Sequence, residues 1–139
     1  MLRFLFDTDH LTLYQYKHPP LMRHIASHPP GVFGISPIAI EEILSGRLAI
    51  LSRPLGGTAL IQAYERLVAA VQMLQLFAVV PFDQTSENEF QQLRASRLRI
   101  GSQDLKIAAV ALVNQLTLLS RNRRDFGRIA GLMLDDWSV

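Results

Sequence analysis

The chain has 139 residues with a hydrophobic fraction of 49%, which suits one domain with one core over residues 1–139. It has no cysteine, and this excludes disulfides, thiolate metal sites and cysteine nucleophiles. Lys and Arg exceed Asp and Glu by only 14 to 12, with a pI of 9.4. Because no apolar stretch approaches the roughly 18 residues of a membrane span, we expect a soluble protein, and the absence of cysteine suits a cytoplasmic one.

Short apolar runs alternate with segments of helical periodicity along the chain. The runs cover residues 2–6, 32–35, 77–80, 116–119 and 132–134. This alternation is typical of βαβ units, in which a helix joins two parallel strands. The sequence therefore predicts an α/β fold.

The longest predicted helix covers about Thr58 to Leu76. Its apolar residues recur at helical spacing, and we predict a stripe that packs on the core, formed by Leu60, Tyr64, Leu67, Val71 and Leu74. Polar residues occupy the rest of its surface. The stripe thus indicates an amphipathic helix on one face of the sheet.

Two later helices have start signals in the sequence. Ser86 and Glu89 have capping-box spacing, which predicts a helix from Thr85 or Ser86 to about Leu98. The chain restarts after Gly101, and Ser102 is a suitable N-cap for a helix through Gln115. We therefore predict two successive helices here.

Four acidic residues lie where an apolar run stops or a helix opens. Asp7 follows the run at 2–6, Glu42 follows the segment that begins at Ile35, Asp104 lies in the first turn of a predicted helix, and Asp125 lies just beyond the run at 116–119. The carboxyl ends of parallel strands converge on one crevice of an open sheet. The pattern therefore predicts a carboxylate cluster.

Carboxylates that gather in this way need a compensating charge. Two of them about 4 Å apart repel by roughly 4 kcal/mol at an effective dielectric near 20, so the group must take up protons or hold cations. Oxygen ligands select hard cations such as Mg²⁺, with Mn²⁺ as an alternative. The chemistry indicated is metal-assisted hydrolysis of a phosphodiester.

Each acid also has an ordinary structural explanation. Asp7 and Asp104 are placed to cap helices, Glu42 to lie on a helix surface beside Glu41, and Asp125 to pair with an arginine. Seven arginines flank two of the acids: Arg94, Arg97, Arg99, Arg121, Arg123, Arg124 and Arg128. A basic rim beside an acidic centre suits a polyanion, and the alternative is a solvated charged surface.

Five segments resemble the PIN-domain family and, within it, the VapC-type toxins of bacterial toxin-antitoxin pairs. They are Phe4–Asp9, Ile35–Gly46, Gly101–Ala109, Leu118–Phe126 and Ile129–Trp137. The resemblance implies a three-layer α/β/α sandwich around a mostly parallel sheet of about five strands. It also implies an Mg²⁺-dependent ribonuclease that acts on RNA, a homodimer, and a VapB-like antitoxin that blocks the site.

The resemblance assigns roles by motif position. It makes metal ligands and catalytic residues of Asp7, Glu42, Asp104 and Asp125, and supporting residues of Ser120 and Asn122. Asp9 replaces the asparagine usual in the family. It either adds charge to the cluster or caps the next helix, and we favour the cap. Lys106, two residues beyond Asp104, is expected to point toward solvent.

Two other functions fit parts of the sequence. Asp7 and Asp9 match the opening of haloacid-dehalogenase-type phosphatases, in which they would be the nucleophile and the general acid. That scheme requires Thr or Val where this chain has Leu11. The second alternative is a basic α/β module that binds RNA or a protein without cutting it. It predicts no metal dependence, and the set of strand-end acids argues against it.

Overall fold

Five strands and seven helices form the fold of the computed structural model, which describes all residues from 1 to 139. The strands are β1 Phe4–Phe6, β2 Phe33–Ile35, β3 Ala78–Val79, β4 Thr117–Leu119 and β5 Leu134–Asp135. The helices are α1 Thr8–Gln15, α2 Pro19–Ala26, α3 Pro37–Leu51, α4 Gly57–Leu74, α5 Gln84–Ala95, α6 Ser102–Val113 and α7 Arg123–Phe126. None of these helices has both the length and the apolar character needed to cross a membrane.

All strand pairs are parallel, and the strands lie in the order β3-β2-β1-β4-β5. The predicted α/β fold with a five-stranded parallel sheet is therefore confirmed. The central position of β1 matters for the site, because residues that follow β1 and β4 emerge side by side at the carboxyl edge of the sheet.

The sheet separates two apolar cores. Leu5 and Leu118 belong to one core, whereas Phe4, Phe6 and Leu119 belong to the other, as expected for strands whose side chains alternate between faces. The first core is filled mainly by α6, and the second by α1 to α4. The three-layer sandwich is confirmed, and the apolar residues fill two cores rather than the single core expected from composition.

The predicted N-caps of α5 and α6 are each displaced toward the N-terminus. Asp83, not Ser86, caps α5, and its Oδ1 accepts the backbone N–H of Ser86 at 2.9 Å. The prediction of a capping box formed by Ser86 and Glu89 is therefore wrong. Gly101 is the N-cap of α6, so Ser102 is the first helical residue rather than the cap.

The apolar stripe predicted for α4 is confirmed at Leu74, which is buried, and in part at Leu60 and Leu67, which are half-buried. It is wrong at Tyr64 and Val71, which are exposed. α4 packs against α3 and buries the small side chains of Ala63 and Ala70. Met73 and Leu74 are buried as well, whereas four other large apolar side chains lie on the solvent-facing side of the helix. They form an exposed apolar surface, the α4 face, made of Ile61, Tyr64, Val68 and Val71.

Candidate active site

The centre of the candidate site is Asp7, which directly follows the central strand β1. Its side chain is 6% exposed and caps α1. Oδ1 accepts the backbone N–H of Thr8 at 2.8 Å, and Oδ2 accepts the Oγ hydroxyl of Ser120 at 2.7 Å. The capping alternative for Asp7 is thus realised, and Ser120, directly after β4, holds the second oxygen in place.

Glu42 reaches the same edge of the sheet from the first half of α3. Its Oε1 accepts the hydroxyl of Thr8 at 2.7 Å, so Thr8 contacts both acids. Glu41 lies on the exposed side of α3, where it accepts a hydrogen bond from Gln103 at 2.9 Å. Thr8 was not predicted as a site residue, although its place between Asp7 and Asp9 was a usable signal.

Asp104 lies in the first turn of α6, half-buried and without a hydrogen bond or ion pair of its side chain. Burial raises the pKa of Asp104, and the negative charges of Glu42, Asp125 and Asp9 raise it further. Asp104 therefore shares one electrostatic environment with the other predicted acids.

The pKa of Asp7 is raised to about 6. Burial is the largest cause, and the charges of Asp9 and Asp104 add to it, while the hydrogen bonds from Ser120 and Thr8 act in the opposite direction. The ionised form of Asp7 is therefore unfavourable in this environment, and a bound cation would stabilise it.

Asp125 differs from the other three acids because its charge is already balanced. Arg128 lies 3.1 Å from its Oδ1, and the Asn122 amide donates to its Oδ2 at 3.1 Å. The Asn122 hydrogen bond lowers the pKa of Asp125, and Arg128 adds to the effect. The arginine-pairing alternative for Asp125 is realised. No basic side chain lies within 4.0 Å of the other three predicted acids.

The two expectations for Asp9 and Lys106 are wrong. Asp7 occupies the cap position of α1, and Asp9 instead accepts hydrogen bonds from the loop after β4 through the backbone N–H of Arg121 at 3.1 Å. Lys106 is half-buried rather than directed to solvent, because its ammonium lies 5.6 Å from the centroid of the Phe90 ring and donates to Gln103 at 3.0 Å.

A sequence model of the PIN domain matches residues 17–132, more than half of the chain. The chain belongs to the PIN-domain family. The matched range contains Glu42, Asp104 and Asp125 and begins after Asp7. Family membership confirms the first part of the resemblance and rules against the dehalogenase-type alternative.

This PIN-domain protein is also similar, over nearly its whole length, to VapC and VapBC proteins. It is 26% identical over 144 residues to the tRNA(fMet)-specific endonuclease VapC of Shigella flexneri, with 99% of the chain and 100% of that protein covered. DNA-bound VapBC from Salmonella typhimurium matches at TM-score 0.80, 24% identity and 99% coverage of both chains. VapBC2 from Rickettsia felis, bound to a promoter DNA fragment, matches at TM-score 0.74 and 23% identity, over 98% of this chain and 99% of that one. The likeness to VapC-type proteins is confirmed.

The acids of this PIN domain supply the donors that Mg²⁺ prefers but are not arranged as a finished ligand set. No group of three or more Asp, Glu or His side chains is placed to hold a metal ion. Asp7 and Glu42 instead accept hydrogen bonds from Thr8. The oxygen-only donors fit a hard dication, and holding one requires these side chains to turn toward a common centre.

A groove of about 300 Å³ adjoins Glu42 between α1 and α3. It is lined by Thr8, Thr12, Glu42, Ile43, Gly46, Arg47 and Ile50. A Cβ atom at Gly46 would meet nothing within 4 Å, so the groove is open there. Arg47 supplies a positive charge in the groove beside the acidic edge.

Proposed function

We propose that this PIN-domain protein is a metal-dependent endoribonuclease and the toxin of a toxin-antitoxin pair. The observation that carries the proposal is the group of three acids, Asp7, Glu42 and Asp104, which lie at one edge of a parallel sheet without a basic partner. Burial raises the pKa of both Asp7 and Asp104, and the negative charges of neighbouring carboxylates raise both further. The name of the Shigella relative, an endonuclease, supports phosphodiester hydrolysis.

Asp7, Glu42 and Asp104 are the residues that would hold Mg²⁺, or Mn²⁺ in its place, and Asp125 would add charge at the margin. The ion supplies a Lewis acid beside the phosphodiester when bound. Ser120 keeps Asp7 in position through its 2.7 Å hydrogen bond, and Asn122 does the same for Asp125. Positioning of this kind sustains activity because ligand orientation governs how well a metal site works.

RNA is the substrate that the charge distribution favours. The side chains of Arg121 and Arg123 are 53% and 61% exposed, and both follow Ser120 in the loop and helix beside Asp7. Exposed guanidinium groups contact phosphates of a polyanion. Arg47, in the groove next to Glu42, offers a further contact for the strand.

The proposed partners are a VapB-like antitoxin that blocks the site and a second copy of the chain. Similar solved structures are named as VapBC complexes, which supports the antitoxin. The α4 face supports protein association, because Ile61, Tyr64 and Val68 are each more than half exposed and contiguous apolar surface marks an interaction site. Sedimentation of the isolated chain and of a Val68→Asp variant tests whether this face joins two copies.

The test of the enzyme is cleavage of a total-RNA pool with Mg²⁺ and with excess chelator. We expect cleavage by the wild-type chain only with Mg²⁺, and none by Asp104→Asn, which loses a charge without a change of shape. Cleavage in chelator, or full activity of the variant, would contradict the mechanism. Binding of RNA without cleavage under every condition would favour the non-catalytic module.

A further inference from the structure

One fully buried histidine lies behind the candidate site and has no part in the chemistry above. His10, in the first turn of α1, is 0% exposed. Its Nδ1 lies 2.6 Å from Oδ1 of Asp9, and its Nε2 lies 3.0 Å from the backbone nitrogen of Trp137. The ring therefore connects the acidic edge of the sheet with the C-terminal segment, 127 residues away in sequence.

These contacts determine which ring nitrogen carries the proton. A backbone N–H only donates, so Nε2 must accept from Trp137. Nδ1 then bears the hydrogen and donates it to Asp9. The Asp136 carboxylate, 3.7 Å from Nε2, is beyond hydrogen-bonding distance. Docking of the C-terminal segment thus selects the tautomer that can hold Asp9.

Asp9 passes this restraint on to the candidate site. Its second oxygen accepts the Arg121 backbone N–H at 3.1 Å and lies 3.3 Å from the Oγ of Ser120. The same Ser120 hydroxyl contacts Asp7 at 2.7 Å. Both oxygens of Asp9 are therefore occupied by protein donors, in contrast to Asp104, which has none.

The C-terminal segment is held firmly enough to act as the fixed end of this chain of contacts. The Trp137 side chain is buried, with its ring stacked on the rings of His24 and His28 at centroid distances of 5.2 and 4.9 Å. His18 contacts the carbonyl oxygen of Ser138 at 2.8 Å. Several independent contacts thus anchor the residues that orient His10.

We propose that Asp9 and His10 form a positioning pair, which holds the loop after β4 so that Ser120 is correctly placed beside Asp7. This inference rests on the proposed ribonuclease function. Asp9 then supports the site through hydrogen bonds and does not bind the metal, and His10 orients Asp9. Neither residue touches the substrate.

Two variants of His10 separate this role from simple packing of the C-terminal segment. In His10→Asn, the side-chain amide reaches the Nδ1 position and keeps the donor to Asp9, but it loses the acceptor for Trp137. In His10→Gln, the amide reaches the Nε2 position, keeps that acceptor and loses the donor. Asp9→Asn is the third variant, because an amide oxygen and a nitrogen cannot both accept hydrogen bonds as the carboxylate does.

RNA cleavage with saturating Mg²⁺ is the activity readout. Loss of an outer-shell contact commonly lowers activity about 10- to 100-fold, and we expect that fall in kcat for His10→Gln and Asp9→Asn, with KM unchanged and with His10→Asn close to wild type. A structural role for His10 in packing the C-terminal segment predicts the opposite order, with His10→Asn impaired and His10→Gln spared. That order would overturn the proposal.

Two readouts do not depend on activity. The ¹⁵N chemical shifts of His10 should identify a neutral ring protonated at Nδ1, and a ring protonated at Nε2 would contradict the proposed contacts. Amide exchange of Arg121 should accelerate in His10→Gln and stay slow in His10→Asn; equal exchange in both would also overturn the pair. If wild type cuts no RNA while these two results hold, the proposed function fails and the hydrogen-bonded pair stands. Mg²⁺ affinity should fall less in Asp9→Asn, which loses only a neighbouring negative charge, than in Asp7→Asn; an equal fall in both variants would make Asp9 a ligand.

Discussion

The raised pKa of Asp7 has a consequence for stability that can be measured without RNA. The pKa is about 6 in the folded protein against 3.8 for the free side chain. Because each pKa unit corresponds to about 1.36 kcal/mol, ionisation of Asp7 costs the folded state about 3 kcal/mol. The folded state binds the proton more tightly than the unfolded state. The cost is therefore absent below about pH 4, grows between pH 4 and 6, and is complete above that range.

We expect Asp7→Asn to raise the free energy of unfolding of the metal-free protein by about 3 kcal/mol at pH 8. The new side chain keeps its shape and remains a good N-cap for α1. Its amide can donate to the Ser120 hydroxyl, which still has Asp9 to receive its own proton. Removal of the buried charge thus leaves the hydrogen bonds satisfied. For a chain of this size, the gain corresponds to a rise in Tm of roughly 10 °C.

Denaturant unfolding at pH 4 and pH 8 in chelator measures this gain, which should vanish at the lower pH. Asp83→Asn is the matched control, because hydrogen bonds from Ser86 lower the pKa of Asp83, so the same substitution there should destabilise at pH 8. Added Mg²⁺ should raise the Tm of wild type and leave Asp7→Asn unchanged. An Asp7→Asn protein no more stable than wild type at pH 8 in chelator would show that ionised Asp7 does not destabilise the fold.

Two further predictions use pairs of matched residues. Glu42→Gln should abolish RNA cleavage with Mg²⁺, whereas Glu41→Gln, on the exposed side of α3, should retain it; equal activities would contradict the choice of Glu42. Gly127→Ala should lower the free energy of unfolding by about 1 to 3 kcal/mol, because its Cβ would lie 2.5 Å from the backbone oxygen of Arg123. Gly46→Ala, with open space around its Cβ and a helical backbone, should instead gain roughly 0.5 to 1 kcal/mol, and denaturant titration of both variants checks the two signs.

The local sequence pattern was sufficient to predict the parallel sheet and the edge of it at which the acids lie. Each apolar run predicted a strand, because buried parallel strands are nearly continuous apolar segments. Asp7 and Ser120 then follow neighbouring strands, so their contact is a consequence of topology. The prediction that Asp7, Glu42, Asp104 and Asp125 are ligands goes beyond this placement and remains a prediction.

Features that depend on partners distant in sequence could not be predicted. Helical periodicity showed that α4 is amphipathic, but not that Ala63 and Ala70 would form its buried side. Likewise, nothing local to Asp9 indicated a bond to Arg121, and His10 gained its role from Trp137 at the other end of the chain. Such contacts are determined by packing between elements, which the spacing of residues along one element does not specify.

Calorimetric titration of the wild-type chain and of Asp104→Asn with Mg²⁺ at pH 8 tests whether the three acids bind a metal ion. Asp104→Asn removes one carboxylate that has no protein partner, so it should leave the fold intact. We predict saturable binding to wild type and at least a tenfold weaker affinity in the variant. Absence of binding to wild type, or equal affinity in both proteins, would contradict a metal site formed by Asp7, Glu42 and Asp104.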